Sequence, residues 1–147
     1  MLSKKSKYAI KALTCLAKRY ESKTLLKIAT ISEEEKIPKK FLEAILVELR
    51  NNGLLHSKLG ANGGYYLAKH PNEIFLSTVI RLSGGPIAML PCVSLNFYEP
   101  CDECEDEKTC GLSNVMRTVR EATIKILAAT SIEDLLLKES ELKVNLN

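Results

Sequence analysis

The sequence predicts a mostly α-helical fold with one small β-hairpin, an α+β chain of ordinary domain size at 147 residues. Three observations predict it. Apolar residues recur at helical spacing over most of the chain. Residues 53–68 break that rhythm with two short apolar runs around a Gly/Asn cluster, which is hairpin patterning. Residues 112–129 carry one continuous apolar seam, long enough for about five helical turns. The composition, 46% hydrophobic and 27% charged, excludes a disordered tail, a collagen-like fibre and a disulfide mini-protein.

The elements follow in order. Tyr8, Ala9, Ala12, Leu13, Leu16, Ala17 and Tyr20 predict a helix over Ser3–Tyr20. Glu21-Ser22-Lys23-Thr24 is a polar break, and Leu25-Leu26 reads as a short strand. A short helix runs from Ile28 to about Glu34 with Ile28 and Ile31 inward. Pro38 opens the next helix, since its missing N–H costs nothing there. That helix turns Phe41, Leu42, Ile45, Leu46 and Leu49 inward and stops at Asn52-Gly53. Two helices joined by about three residues have helix-turn-helix spacing, and the hairpin directly after them completes a winged-helix layout.

Ile74 to Leu82 predicts a further short helix, closed by Gly84-Gly85-Pro86. Residues 91–111 lack periodicity and hold four of the five cysteines. Leu112, Val115, Val119, Ala122, Ile126 and Ala129 then step by three and four, which predicts a dimer interface along one long helix. Thr130 and Glu133 are spaced as a capping box opening a last short helix, and a frayed tail is expected beyond Lys138. The expected organisation is a DNA-binding unit over 1–83, a cysteine-containing sensor loop over 84–111, the dimerisation helix with the short last helix over 112–138, and a tail over 139–147.

Net charge is only +3, but it is unevenly distributed. Residues 1–70 hold 14 lysines and arginines against 6 acidic residues, a net +8, whereas residues 71–147 hold 7 against 12, a net −5. The front half therefore has the sign of a polyanion binder. No apolar run approaches the ~18 residues that would span a bilayer, so no membrane association is expected. Met1-Leu2-Ser3-Lys4-Lys5 has no apolar stretch behind its lysines, and a cytoplasmic protein is expected. Enzymatic chemistry finds no support. The only histidines are His56 and His70, no paired-carboxylate site is apparent, and Gly60–Gly64 lacks the Lys-Ser/Thr and helix that a phosphate loop needs.

The exposed start of the Pro38 helix carries Lys39, Lys40, Glu43 and Ala44. Docked in a major groove, these positions reach base edges: lysine donates to guanine, glutamate accepts from cytosine, and alanine touches a thymine methyl. Ser3, Lys4, Lys5 and Lys7 at the first helix, and Lys58 and Asn62 in the hairpin, are further candidates for backbone contacts. The implied partner is double-stranded DNA. A homodimer would read a pseudo-palindrome with half-sites about one helical turn, or a multiple of it, apart.

Cys92, Cys101, Cys104 and Cys110 have the spacing C-x8-C-x2-C-x5-C, from which thiolates can converge on one metal or cluster. Zinc and an iron–sulfur cluster both take thiolates, so both remain open. Cys15 falls on the apolar side of the first helix and reads as structural. A thioredoxin-type Cys101-x-x-Cys104 site is disfavoured by Asp102, Glu103, Glu105, Asp106 and Glu107, because a reactive thiolate needs positive surroundings. Cys110 differs, since it directly precedes the long helix, whose N-terminal dipole favours an anion.

Several stretches resemble the Rrf-type family of bacterial winged helix-turn-helix regulators, the group of IscR, NsrR and CymR. They are the opening Leu2-Ser3-Lys4-Lys5-Ser6-Lys7-Tyr8-Ala9, the segment Ile37-Pro38-Lys39-Lys40-Phe41-Leu42, and Gly63-Gly64-Tyr65-x-Leu67-Ala68. The cysteine segment before a long helix completes the pattern, and the likeness spans nearly the whole chain. The resemblance implies a homodimeric transcriptional repressor or activator, often with an iron–sulfur cluster that senses iron–sulfur status, redox state or nitric oxide. It points to Cys92, Cys104 and Cys110 as ligands; Cys101, which the family pattern does not specify, is inferred here as the natural fourth. Two positions depart from the pattern: Leu59 stands where many members carry arginine before the wing, and Ser113 where some carry histidine. One alternative keeps the DNA binding but makes the thiols a structural zinc site or a disulfide switch. Another is an iron–sulfur assembly accessory or thiol protein, which would show no salt-sensitive affinity for DNA.

Overall fold

The computed structural model describes residues 2–147. Helix α1 (Lys4–Ala17) starts where the Ser3 hydroxyl accepts the Ser6 N–H at 3.0 Å, satisfying a donor that has no intrahelical partner. It ends three residues before the expected Tyr20, in a run of turns. Ala9, Ala12, Leu13, Leu16 and Ala17 form its buried face.

The next two helices are α2 (Ile28–Glu35) and α3 (Lys39–Asn51), joined by Lys36-Ile37-Pro38. Ser32 builds that link. Its carbonyl accepts the Ile37 N–H at 3.1 Å, and its hydroxyl donates to the Ile37 carbonyl at 2.6 Å. Lys36 takes the left-handed conformation at φ 54°, and Ile37 is buried, which fixes the angle at which α3 leaves. On α3, Leu42, Ile45, Leu46 and Leu49 form the core stripe. Phe41, expected on that stripe, is 56% exposed. It sits one residue before the stripe begins, about 100° round the helix, and meets Tyr8 edge-on with ring centroids 6.3 Å apart.

Strands β1 (Leu55–Lys58) and β2 (Gly64–Leu67) form the antiparallel hairpin, pairing Leu55 with Leu67 and Lys58 with Gly64. Leu26, placed in sequence on a short strand, contributes an isolated bridge to Tyr65 with backbone bonds in both directions, at 3.0 and 2.8 Å. Glycine is required at the tip because the backbone passes so close. A Cβ on Gly63 would lie 2.1 Å from the Lys58 carbonyl oxygen, and one on Gly64 would lie 2.7 Å from that of Leu26.

Helices α4 (Leu76–Leu82), α5 (Gly111–Ala129) and α6 (Ile132–Asn145) complete the chain. A buried hydroxyl pair, Ser6 to Ser83 at 2.7 Å, ties α1 to the end of α4. The last helix departs from expectation twice. Its capping box is Ser131 with Asp134, not Thr130 with Glu133: the Ser131 hydroxyl accepts the Asp134 N–H at 3.1 Å, and the Asp134 carboxylate accepts the Ser131 N–H at 2.8 Å. Thr130 is committed elsewhere, its carbonyl accepting the Leu76 N–H and its hydroxyl donating back to the Ile126 carbonyl. The helix also continues through the expected tail to Asn145. Ile132 is fully buried in the core shared by α1–α3, Leu135 and Leu136 pack on it, and Lys18 reaches Glu139 at 3.8 Å, so the helix is docked where a tail would fray. Within 112–138, α6 therefore returns to the N-terminal core while most of α5 stays exposed.

Cys15 belongs to that core and is fully buried. Burial first, then its hydrogen bond to Glu34 at 3.4 Å, pushes the thiol from 9.0 up to about 12. The bond acts oppositely on Glu34, whose carboxyl is held below the usual range by Cys15 and then by Arg19. Native protein treated with iodoacetamide at mild pH should therefore be modified at other cysteines and spared at Cys15, as mass spectrometry would report. The unfolded thiol loses its proton near 9 and the folded one near 12, so the contribution of Cys15 to stability is complete below 9 and declines between the two. Urea midpoints should fall more steeply over that range than in Cys15→Ala.

Candidate nucleic-acid interface and cysteine loop

Pro38, Lys39, Lys40, Glu43 and Ala44 are all exposed at the start of α3, and Lys39, Lys40 and Glu43 make no ion pair among the described residues. The core stripe occupies the opposite side of the helix, so α3 offers this end to a partner. Helix α1 lies beside it and brings exposed Lys4 and Lys7. Lys5 is less available, because its ammonium group pairs with Glu48 of α3 at 2.8 Å. The Ser3 hydroxyl is committed to the cap and donates to Ser6 at 2.9 Å, so this residue places the lysines that follow it. In the hairpin, Lys58 and Asn62 are exposed.

The cysteine loop is held by Glu107. Its carboxylate accepts the Tyr98 hydroxyl at 3.2 Å and the Cys101 N–H at 3.0 Å. The backbone N–H of Cys104 donates to the Cys101 carbonyl at 3.4 Å, and the neighbouring Cys110 and Cys101 thiols, with desolvation, push the Cys104 thiol up to about 12. Cys110 is the N-cap of α5. Its sulfur accepts the Ser113 N–H at 3.4 Å, and this bond first, then that of Cys104, pulls the thiol below its ordinary value. Cys92 is buried in the short 3-10 turn Pro91–Val93. The carbonyl of its neighbour Val93 accepts from Arg120 of α5. Among the described residues no three His, Cys, Asp or Glu side chains stand in metal-holding geometry. The donor chemistry nevertheless suits a soft metal centre: four sulfurs lie within residues 92–110, all of them free thiols, with Cys101 and Cys110 neighbouring Cys104.

Along α5, Leu112, Val115, Ala122, Ile126 and Ala129 are exposed and Val119 half-exposed, with Ile126 reaching 66%. Ser113 is buried and, among the described residues, its hydroxyl has no partner.

A family model described as Rrf2, iron-dependent transcriptional regulator, matches residues 2–138. The chain belongs to the Rrf2 family. This Rrf2 chain is 41% identical over 138 residues to an rrf2-like HTH-type transcriptional regulator of Rhodobacter capsulatus, covering 92% of each. It is 33% identical over 135 residues to CymR of Bacillus subtilis, covering 91% of this chain and 88% of that one. The solved structure of B. subtilis CymR, the global cysteine regulator, superposes with a TM-score of 0.73 at 28% identity, over 92% of this chain and 95% of the other. T. potens IscR superposes with a TM-score of 0.74 at 23% identity, over 97% and 90% respectively, and attests the fold. The Rrf2 chain is thus a winged-helix, DNA-binding regulator of transcription, and its relatives are not enzymes. No described helix is long and apolar enough to cross a membrane.

Sequence reasoning missed three residues on this Rrf2 surface. Lys27 occupies the N-cap position of α2 without a side-chain capping bond and, with Thr30, lines a shallow basin shared with Ala61, Asn62 and Gly63 of the wing tip. Its position directly before the first helix of the helix-turn-helix, where N–H groups attract phosphate, was the available signal. Exposed Phe41 is the third.

Proposed function

We propose that this Rrf2 chain is a homodimeric, sequence-specific regulator whose affinity for a pseudo-palindromic operator is set by the state of its cysteine loop. The observation that carries the proposal is Cys110, which is both part of the sulfur group and the N-cap of α5. A change at this sulfur alters how α5 begins, and α5 carries the exposed apolar seam on which two copies would pair. Pairing there would set the distance between the two α3 helices, and so the operator spacing they fit. Cys92, Cys101, Cys104 and Cys110 would hold an iron–sulfur cluster, which when bound supplies a centre responsive to iron supply, oxidation and nitric oxide. The family's iron-dependent description supports this reading.

A second reading keeps the regulator and makes the sulfurs a zinc site or a disulfide switch. The contacts of Cys104 with both Cys101 and Cys110 favour it. Protein purified without air separates the two. Visible absorbance with stoichiometric iron and acid-labile sulfide supports the cluster, and a colourless preparation with zinc, or with no metal, supports the second. The operator affinities of reconstituted and chelator-stripped protein then test the switch. Equal affinity in both states would overturn it.

A further inference from the structure

We propose that the groove between α1, α4 and α5 binds a small aliphatic carboxylate, with Arg120 anchoring its head group, and that occupancy of this site is a second input to the regulator. The groove measures about 370 Å³, within the ~300–1,000 Å³ of small-molecule sites. Ile10 of α1, Ile80 of α4, Ile87 and Met89 of the loop that follows, and Val119 and Leu127 of α5 give it apolar walls. Arg120 is the only charged side chain lining it among the described residues. Apolar walls with a single cation suit a molecule that has an alkyl body and one negative charge.

Arg120 is short of partners. Its side chain is 13% exposed, one of its amino groups donates to the Val93 carbonyl, and its Nε–H is buried with no acceptor among the described residues. Its ion-pair partner, Glu121 at 3.3 Å, is 70% exposed, and a pair in solvent holds an arginine weakly. A buried donor without an acceptor is a standing cost that a ligand oxygen would remove. A carboxylate meeting the Nε edge of the guanidinium would accept two parallel N–H bonds. The other polar side chain of the groove, Thr123, already donates its hydroxyl to the Val119 carbonyl at 2.8 Å, so Arg120 is the donor offered to a ligand. One wall comes from α1 and α4 and the other from α5, so a molecule held between them would fix the angle at which α5 crosses. The link from that angle to operator affinity rests on the homodimer reading above.

The test dialyses the full-length protein against labelled octanoate, octanol or octylammonium, each below its micelle-forming concentration. Octanoate is expected to bind saturably, one per chain, with octanol about 10- to 100-fold weaker and octylammonium weaker still. Arg120→Met should lower the octanoate affinity to that of octanol. Arg120 also supports the Val93 turn, so a second variant leaves it intact: Ala88→Trp narrows the groove at its loop wall and should abolish binding of octanoate and octanol alike. No saturable octanoate binding by wild type would overturn the site and leave the groove to be covered by a second copy of the chain. Equal affinities for octanoate and octanol, or octanoate binding unchanged in both variants, would overturn it as well. With operator DNA, saturating octanoate is expected to change the affinity of wild type about fivefold or more and to leave that of Ala88→Trp unmoved. Saturable binding with no such change would overturn the input and retain the site. Wild type that binds octanoate and prefers no duplex would overturn the operator reading and not the site.

Discussion

On the proposed pairing along α5, Ile126→Asp is expected to leave the chain monomeric, and Val115→Lys added to it is expected to restore pairing. The seam positions on α5 step by three and four in strict alternation, so the series reads the same in both directions. Two α5 helices laid antiparallel therefore place Leu112 against Ala129, Val115 against Ile126, and Val119 against Ala122 of the second copy. Large faces small at the ends and centre, as interdigitated packing requires. Ile126, 66% exposed in one chain, would become buried. A lone carboxylate there would cost several kcal/mol, which raises the dimer dissociation constant by about two orders of magnitude or more. In the antiparallel register each introduced carboxylate faces an introduced ammonium group of the other copy, so the double substitution makes two ion pairs. In a parallel register like charges face each other and nothing is rescued. Sedimentation equilibrium decides: a dimeric single variant rejects the seam as the interface, and a monomeric double variant rejects the antiparallel register.

The parts legible in the sequence are those governed by one local rule. The α3 stripe, the three-residue link to α2 and the hairpin all follow from periodicity, proline and glycine placement, and each is found where those rules put it. The misses arise where a local rule admits two solutions and tertiary contact chooses. Phe41 is apolar and adjacent to the stripe, but four other residues already fill it. Thr130 and Ser131 can each cap a helix, and the bond from Leu76 to the Thr130 carbonyl favours the second. Polar composition at 139–145 reads as tail until Lys18 and the buried Ile132 are seen to hold the helix down. The cysteine loop is the extreme case. Spacing identifies the sulfurs, but which of them meet depends on Glu107 bonding to Tyr98 and Cys101, and an aperiodic stretch does not announce such contacts.

At the interface, Lys40→Ala and Glu43→Ala are expected to change which base pairs are preferred, while Lys4→Ala weakens every duplex alike. All three residues are exposed, but they occupy different elements. Lys40 and Glu43 sit at the end of α3 opposite the core stripe, where groups would reach base edges in the proposed docking, so losing one should cost about 5- to 100-fold on the preferred base and little on others. Lys4 is exposed at the start of α1 and is assigned to phosphate in the proposed docking, so its loss should lower the salt slope by about 1 per subunit and leave the preference intact. Lys5 behaves as neither, because of its partner. Removing it frees the Glu48 carboxylate on α3, so Lys5→Ala should weaken binding more than Lys4→Ala does. Glu48→Ala in the same chain should recover part of that excess, which a double-mutant cycle measures. The decisive comparison is across sequences at fixed salt. If Lys40→Ala and Lys4→Ala lower affinity for specific and scrambled duplexes by one common factor, α3 supplies charge alone and the bases are read elsewhere.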